Sequence, residues 1–176
     1  DSEFIGYDQN ESKSLLRKYF VQGEQYHLVL DITPFYAESG GEIGDTGKIS
    51  NDDFTLKVTN TLKINNVIVH IGNLVSGKIG ENIEVRAAID VERSNAIRAN
   101  HTATHLLQAA LRQVIGEHVH QYGSLVTDDR LRFDLTHFTK ITQPEIEKIE
   151  DIVNDKIREN IEVGVKRQEY EEAKKR

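Results

Sequence analysis

The sequence predicts an α+β fold: a small antiparallel β-barrel followed by an α+β region truncated at its C-terminal end. Three observations carry this expectation. Residues 1–90 alternate apolar and polar side chains in short runs broken by Gly, Asn and Asp. Near Asp90 the hydrophobic period changes from that of a strand to that of a helix. Beyond it, two helical stripes flank a hairpin pattern. The expected division is therefore 1–90 for the barrel and 91–176 for the second region.

In the first region, "QYHLVLD" (Gln25–Asp31), "FTLKVTNTLKI" (Phe54–Ile64), "VIVHI" (Val67–Ile71) and "NIEVRAAI" (Asn82–Ile89) each read as a strand with one buried side. "INNV" between the second and third is a tight hairpin, because Asn tolerates positive φ. Many short strands at this spacing suit a small barrel or sandwich.

In the second region, Ala103, Leu106, Leu107, Ala110 and Val114 recur at helical spacing, and Gly116 is a natural stop. "HVHQYGSLV" and "RLRFDLTHF", joined by "TDD", form a β-hairpin. "TQPEIEKIEDIVNDKIREN" is a second helix, with Thr142 and Glu145 spaced as a capping box. Its stripe is Ile146, Ile149, Ile152, Val153 and Ile157. "IEVGV" reads as a short strand, and "YEEAKKR" begins another helix.

Composition narrows the function. With no cysteine, disulfides and thiolate metal sites are excluded within these residues. No run approaches the roughly 20 apolar residues of a membrane helix, and no basic-then-apolar signal opens the sequence. Nothing here contradicts a cytoplasmic protein, which is the location expected. The absence of methionine and the break inside a helical pattern point to a piece of a longer chain. The net charge of -7 is uneven: residues 1–90 hold 8 Lys/Arg against 14 Asp/Glu, and residues 91–176 hold 14 against 15. A uniformly basic nucleic-acid binder is excluded, and a local basic patch in the second half is compatible.

The chemistry concentrates in "RANHTATHLLQAALRQVIG". On a helix, His101 and His105 lie about 40° apart around the axis, roughly opposite the apolar stripe. A solvated face that happens to carry two histidines is the plainer reading of HxxxH. Half of a zinc site is the sharper one, because imidazoles at i and i+4 can share an ion. Thr102 stands where a metalloprotease helix has Glu. By residue type, His118, His120 and His137 are candidate third ligands.

"TPFYAESGGEIGDTGKI" packs four glycines into the eight residues Gly40–Gly47. It reads either as a wide turn or as a loop whose amides approach a ligand closely. It is not a P-loop, since no Gly-Lys-Ser/Thr follows, and it lacks the strand–GxGxxG–helix context of a dinucleotide fold.

Taken in order and spacing, "TPFYAESGGEIGDTG", "RANHTATHLLQAALR", "HVHQYGSLVTDDRLRFDLTH" and "VNDKIRENIEV…YEEAKK" closely resemble the alanyl-tRNA synthetases over essentially the whole sequence. The resemblance implies a β-barrel linker domain followed by the first part of an editing domain. That editing fold is shared with threonyl-tRNA synthetase and with free-standing alanyl editing proteins. It implies hydrolysis of tRNA(Ala) wrongly charged with serine or glycine. In the family, zinc is held by HxxxH and a later CxxxH. His101 and His105 match the first pair, and the second would lie beyond "YEEAKK", leaving the zinc site incomplete here.

Other roles carry over singly from the resemblance. Thr104 matches a threonine that contacts the substrate amino acid. Gln121 matches a glutamine lining the same pocket, and Gly40 and Gly41 match a glycine motif implicated in editing. ATP and alanine belong to an aminoacylation core upstream. The partner implied is tRNA(Ala), with no membrane and no protein partner. The competing readings are a free-standing trans-editing deacylase and a non-catalytic tRNA-binding or structural module.

Overall fold

The structure is a computed structural model that describes residues 2–162 together with Glu169 and Glu172. In chain order the first region contains β1 (Glu3–Phe4), β2 (Glu11–Gln22), β3 (Gln25–Leu30), β4 (Ile32–Thr33), β5 (Gly47–Ser50), β6 (Phe54–Ile64), β7 (Val67–Gly77) and β8 (Ile83–Ile89). Six of these close a barrel in the order β2-β3-β7-β6-β5-β8, with every neighbouring pair antiparallel. The small parallel pair β1–β4 stands apart from it. The tight turn after Ile64 is present, and Asn65 takes the positive φ of 55°.

Two barrel strands were not expected. In β2 the inward positions of the first turn of alternation are Ser12 and Ser14, both buried, with their hydroxyls hydrogen-bonded at 2.7 Å. Only Leu16 continues the buried face as an apolar residue, so hydropathy alternation is silent there. β5 is four residues long and buries only Ile49. The third expected strand is also longer than its apolar run: β7 continues through Gly77, pairing with β6 to Phe54.

The barrel core is built from Leu16, Leu28, Leu30, Phe35, Ile49, Leu56, Val58 and Val85, with the small Ala87 filling between. One polar group joins it. His70 is fully buried, its ring edge-on to Phe35 with centroids 5.1 Å apart. The Leu28 carbonyl can only accept, so Nδ1–H donates to it at 3.0 Å, and the Thr33 hydroxyl donates to Nε2 at 2.7 Å. Thr33 in turn accepts from the Phe35 amide at 3.1 Å. Every polar atom of the group is thus satisfied with a neutral ring, and burial lowers the His70 pKa to about 4.

The second region contains α1 (Val91–Val114), β9 (Gln121–Val126), β10 (Leu131–Leu135) and α2 (Gln143–Glu159). β9 and β10 form the expected hairpin. Thr142 caps α2, and the Glu145 carboxylate accepts from its backbone amide at 2.8 Å and from its hydroxyl at 2.7 Å. A second core collects Ala110 and Leu111 of α1, Val119 from the segment before β9, and Ile149 of α2, with Leu107, Phe133, Ile152 and Val153 against it. Only the middle of the α2 stripe is used. Ile146 and Ile157 at its ends are exposed. The strand expected at "IEVGV" lies largely outside the described residues, as does the helix expected from Tyr170; Ile161 and Glu162 are in no strand.

No spacer separates the two regions. β8 ends at Ile89, Asp90 caps α1 by accepting from the Arg93 amide at 3.1 Å, and the helix begins. The Asp90 amide donates to Thr46 at 2.8 Å and the Arg93 guanidinium to Gly44 at 3.0 Å. The Arg98 guanidinium reaches Gly6 at 2.7 Å. Ser94 and Ile97 are buried on the same helix. The first two turns of α1 are therefore seated on the glycine-rich loop and on the segment after β1.

Candidate functional site

His101 and His105 both lie on α1, four residues apart, and their rings stack with centroids 5.0 Å apart and planes inclined by 23°. His101 is partly buried and His105 exposed, and neither belongs to either apolar core. The helix therefore presents them as a pair away from its packed stripe, as the 100° rotation per residue requires.

The glycine-rich loop faces them. Gly40 and Gly41 take φ of 60° and 88°, making the turn that pairs Ser39 with Glu42. The loop then lies along β9: the Val126 amide donates to Gly41 at 2.8 Å, and the Ile43 amide donates to Val126 at 3.2 Å. Its close backbone approach is to the protein's own hairpin. Glu42, only 7% exposed, is delivered against α1, where its carboxylate accepts a hydrogen bond from His101 Nδ1. Three residues on, Asp45 is buried and accepts from the Tyr36 amide at 2.9 Å.

Burial governs the ionisation here. Desolvation raises the Glu42 pKa, and the bond to His101 acts against it. Desolvation raises Asp45 as well, opposed by its bonds to Tyr36 and Ser94. Tyr36 is also raised, by desolvation first and by the Glu42 charge second.

The pair opens onto a cavity of about 330 Å³. Phe4, Tyr7 and Tyr36 form an aromatic wall, with Phe4 edge-on to both tyrosines at 5.1 and 6.0 Å. Glu42, Arg98, Thr102 and the two histidines supply its polar side. The aromatic contributors come from the barrel side, a part of the site that the histidine spacing gave no reason to seek.

The remaining expected residues fall elsewhere. Thr104 is buried, with its hydroxyl donating to the Asn100 carbonyl at 2.8 Å, and it does not line the cavity. Gln121 is exposed at the start of β9. Its amide donates to the Ser124 hydroxyl at 3.0 Å, which donates to the Gly40 carbonyl at 3.2 Å. The structure thus joins Gln121 to the glycine turn rather than to the histidines. His118, His120 and His137 lie beyond the ends of β9 and β10, not within them. His118 and His137 contact each other through ring nitrogens 3.0 Å apart.

Two stacked imidazoles, one held at Nδ1 by a carboxylate, fit part of a zinc donor set. Among the described residues no group of three His, Cys, Asp or Glu side chains is placed to hold a metal ion. Nor is any helix among them long and apolar enough to cross a membrane.

Comparison with known proteins places this architecture. The family model for tRNA synthetases class II (A) matches residues 2–93, the barrel and the first turn of α1. Among curated proteins, the alanine–tRNA ligase of Cytophaga hutchinsonii is 49% identical over 178 residues, covering 98% of this chain and 20% of the relative. Those of Thermoanaerobacter pseudethanolicus and Fusobacterium nucleatum are 45% and 46% identical over 184 and 175 residues, each covering 99% of this chain and 21% and 20% of the relative. The chain spans about one fifth of the length of these relatives, and the histidine helix lies within the span they share. On this evidence the chain belongs to the family of tRNA synthetases class II (A), and the curated proteins it is similar to are alanine–tRNA ligases.

Proposed function

We propose that this chain is the barrel and the first part of the editing region of an alanine–tRNA ligase, acting in the cytoplasm on tRNA(Ala). The complete enzyme attaches alanine to tRNA(Ala) using ATP in a separate part of its chain. The region described here serves hydrolysis of tRNA(Ala) mischarged with serine or glycine. The observation that carries this reading is the His101–His105 pair, set on one helix face beside an aromatic-walled cavity and bonded to a carboxylate from the glycine-rich loop.

The need for a second site is physical. Serine exceeds alanine by a hydroxyl, and an apolar pocket rejects such an analogue by only about a hundredfold. A hydrolytic site that pairs with that hydroxyl discriminates where the synthetic site cannot. His101 and His105 would hold zinc together with ligands beyond these residues, and a bound zinc supplies Lewis-acid polarisation of a carbonyl or a water. Thr104 and Gln121 are assigned to the serine hydroxyl by the resemblance rather than by the cavity, which neither residue lines. With its own proton on Asn100, Thr104 can serve there as an acceptor. Without the further ligands, the isolated 176-residue chain is expected to deacylate Ser-tRNA(Ala) negligibly.

The test is His101→Ala and His105→Ala in the full-length enzyme, with Ser-tRNA(Ala) deacylation and ATP-dependent alanine activation measured side by side. Deacylation should fall in both variants while activation stays at the parent level. Loss of activation in a folded variant, or undiminished deacylation, would overturn the reading.

A further inference from the structure

Glu42 and His101 lie 59 residues apart in sequence and on different sides of the regional boundary, yet their side chains share a hydrogen bond. Glu42 is nearly inaccessible, whereas the His101 side chain remains 41% exposed. The carboxylate is thus the fixed partner and the imidazole the ring being held.

Its fixation is traceable. The Ser39–Glu42 turn is closed by two backbone bonds of 3.1 and 3.0 Å. On either side of Glu42, Gly41 and Ile43 bond to Val126 of β9. A Cβ on Gly41 would meet the Ser124 carbonyl oxygen at 2.4 Å, so only glycine lets the turn sit this close to the hairpin. The backbone of Glu42 is held on both flanks, and its side chain crosses to α1.

A carboxylate accepting from Nδ1–H selects one tautomer of a neutral imidazole. The proton stays on Nδ1, and Nε2 carries the lone pair. The same contact removes freedom of ring rotation that His101 would otherwise lose on binding a ligand.

We propose that Glu42 is the positioning residue of the histidine pair: through its bond to Nδ1 it fixes the ring and tautomer of His101 so that Nε2 is presented as the ligand nitrogen. This rests on the editing reading above and extends it. It gives the glycine motif of the barrel a physical route to the editing helix, in which the glycines set a turn and the turn delivers a carboxylate.

The experiment uses the full-length enzyme with Glu42→Leu, Glu42→Gln and His101→Ala. Leucine fills the buried volume without an acceptor, and glutamine keeps an oxygen able to accept from Nδ1–H. Zinc affinity is read by competition with a chelator, deacylation of Ser-tRNA(Ala) is read separately, and alanine activation reports an intact enzyme. Glu42→Leu should weaken zinc by about 10- to 100-fold and lower deacylation. Glu42→Gln should recover most of both. If His101→Ala weakens zinc but Glu42→Leu matches the parent, Glu42 has no positioning role and the editing assignment stands. Equal losses in the leucine and glutamine variants would also overturn the proposal. If His101→Ala leaves zinc and deacylation unchanged, the editing assignment itself fails.

Discussion

Gly41 lies so close to Ser124 that a Cβ on it would stand 2.4 Å from the Ser124 carbonyl oxygen and 2.5 Å from its hydroxyl, whereas a Cβ on neighbouring Gly40 would meet nothing within 4 Å. Both residues are in the left-handed region. Gly40→Ala should therefore cost only the backbone term, about 1–2 kcal/mol. Gly41→Ala adds a clash that must push the turn off β9 and loosen the Val126 amide bond, worth about 1 kcal/mol more. Urea unfolding of the two variants compares them directly. Equal midpoints would show that the turn yields without cost.

His70 makes stability pH-dependent in a defined direction. Its pKa in the fold is about 4, below the ordinary histidine value of 6.5. Between these values the unfolded chain binds the extra proton, so its contribution is complete above about 6.5 and is lost as pH falls toward 4. The loss approaches about 3 kcal/mol at the acid end. Asp45 acts in the opposite sense, because its raised pKa favours proton uptake by the fold, so the comparison must be differential. His70→Asn keeps an amide donor for Leu28 and removes the titration. Unfolding free energies measured across this range should fall more steeply in the parent than in the variant, and parallel curves would contradict the buried neutral ring.

Thr104→Val removes a hydroxyl while keeping the shape of a buried side chain. In the full-length enzyme it should leave zinc bound and reduce discrimination between Ser-tRNA(Ala) and Ala-tRNA(Ala). One lost partner of a buried hydrogen bond costs roughly 1–3 kcal/mol, or about 5- to 150-fold in selectivity. Unchanged selectivity would confine the hydroxyl to its helical bond with Asn100.

Ile149 is the α2 residue that the second core buries most completely, at 5% exposure. Ile149→Ala should destabilise the chain by about 2–5 kcal/mol through lost transfer energy and the cavity left behind. Thermal unfolding reads this, and a shift under about 1 kcal/mol would mean that α1 and α2 close over the gap.

Much of this architecture is legible because local pattern and burial agree. The strands at Gln25, Phe54 and Ile83, the helix seated on Asp90 and the Thr142–Glu145 box each carry their signal within a few residues. β2 is not legible in the same way, because Ser12 and Ser14 face inward and satisfy each other instead of burying apolar surface. The site divides similarly. Helical spacing is enough to put His101 beside His105. Nothing local to either residue specifies Glu42, nor the Phe4 and Tyr36 wall, since these arrive from segments distant in sequence. Conversely, the spacing that makes His118 and His120 attractive as ligands does not bring them to the pair: the His118 ring meets His137, and the His120 backbone amide donates to Thr136.

The bridge between Glu42 and Val126 also bears on how separable the two halves are. The hairpin borrows a strand-like edge from the barrel: the Val126 amide and carbonyl are both spent on Gly41 and Ile43. A cut at residue 90 would leave those groups facing water and release the Arg93 and Arg98 guanidiniums from Gly44 and Gly6. The second half is therefore not a portable cassette. Grafted onto another scaffold, it would need a replacement edge strand along β9 before its histidine helix could keep the same footing.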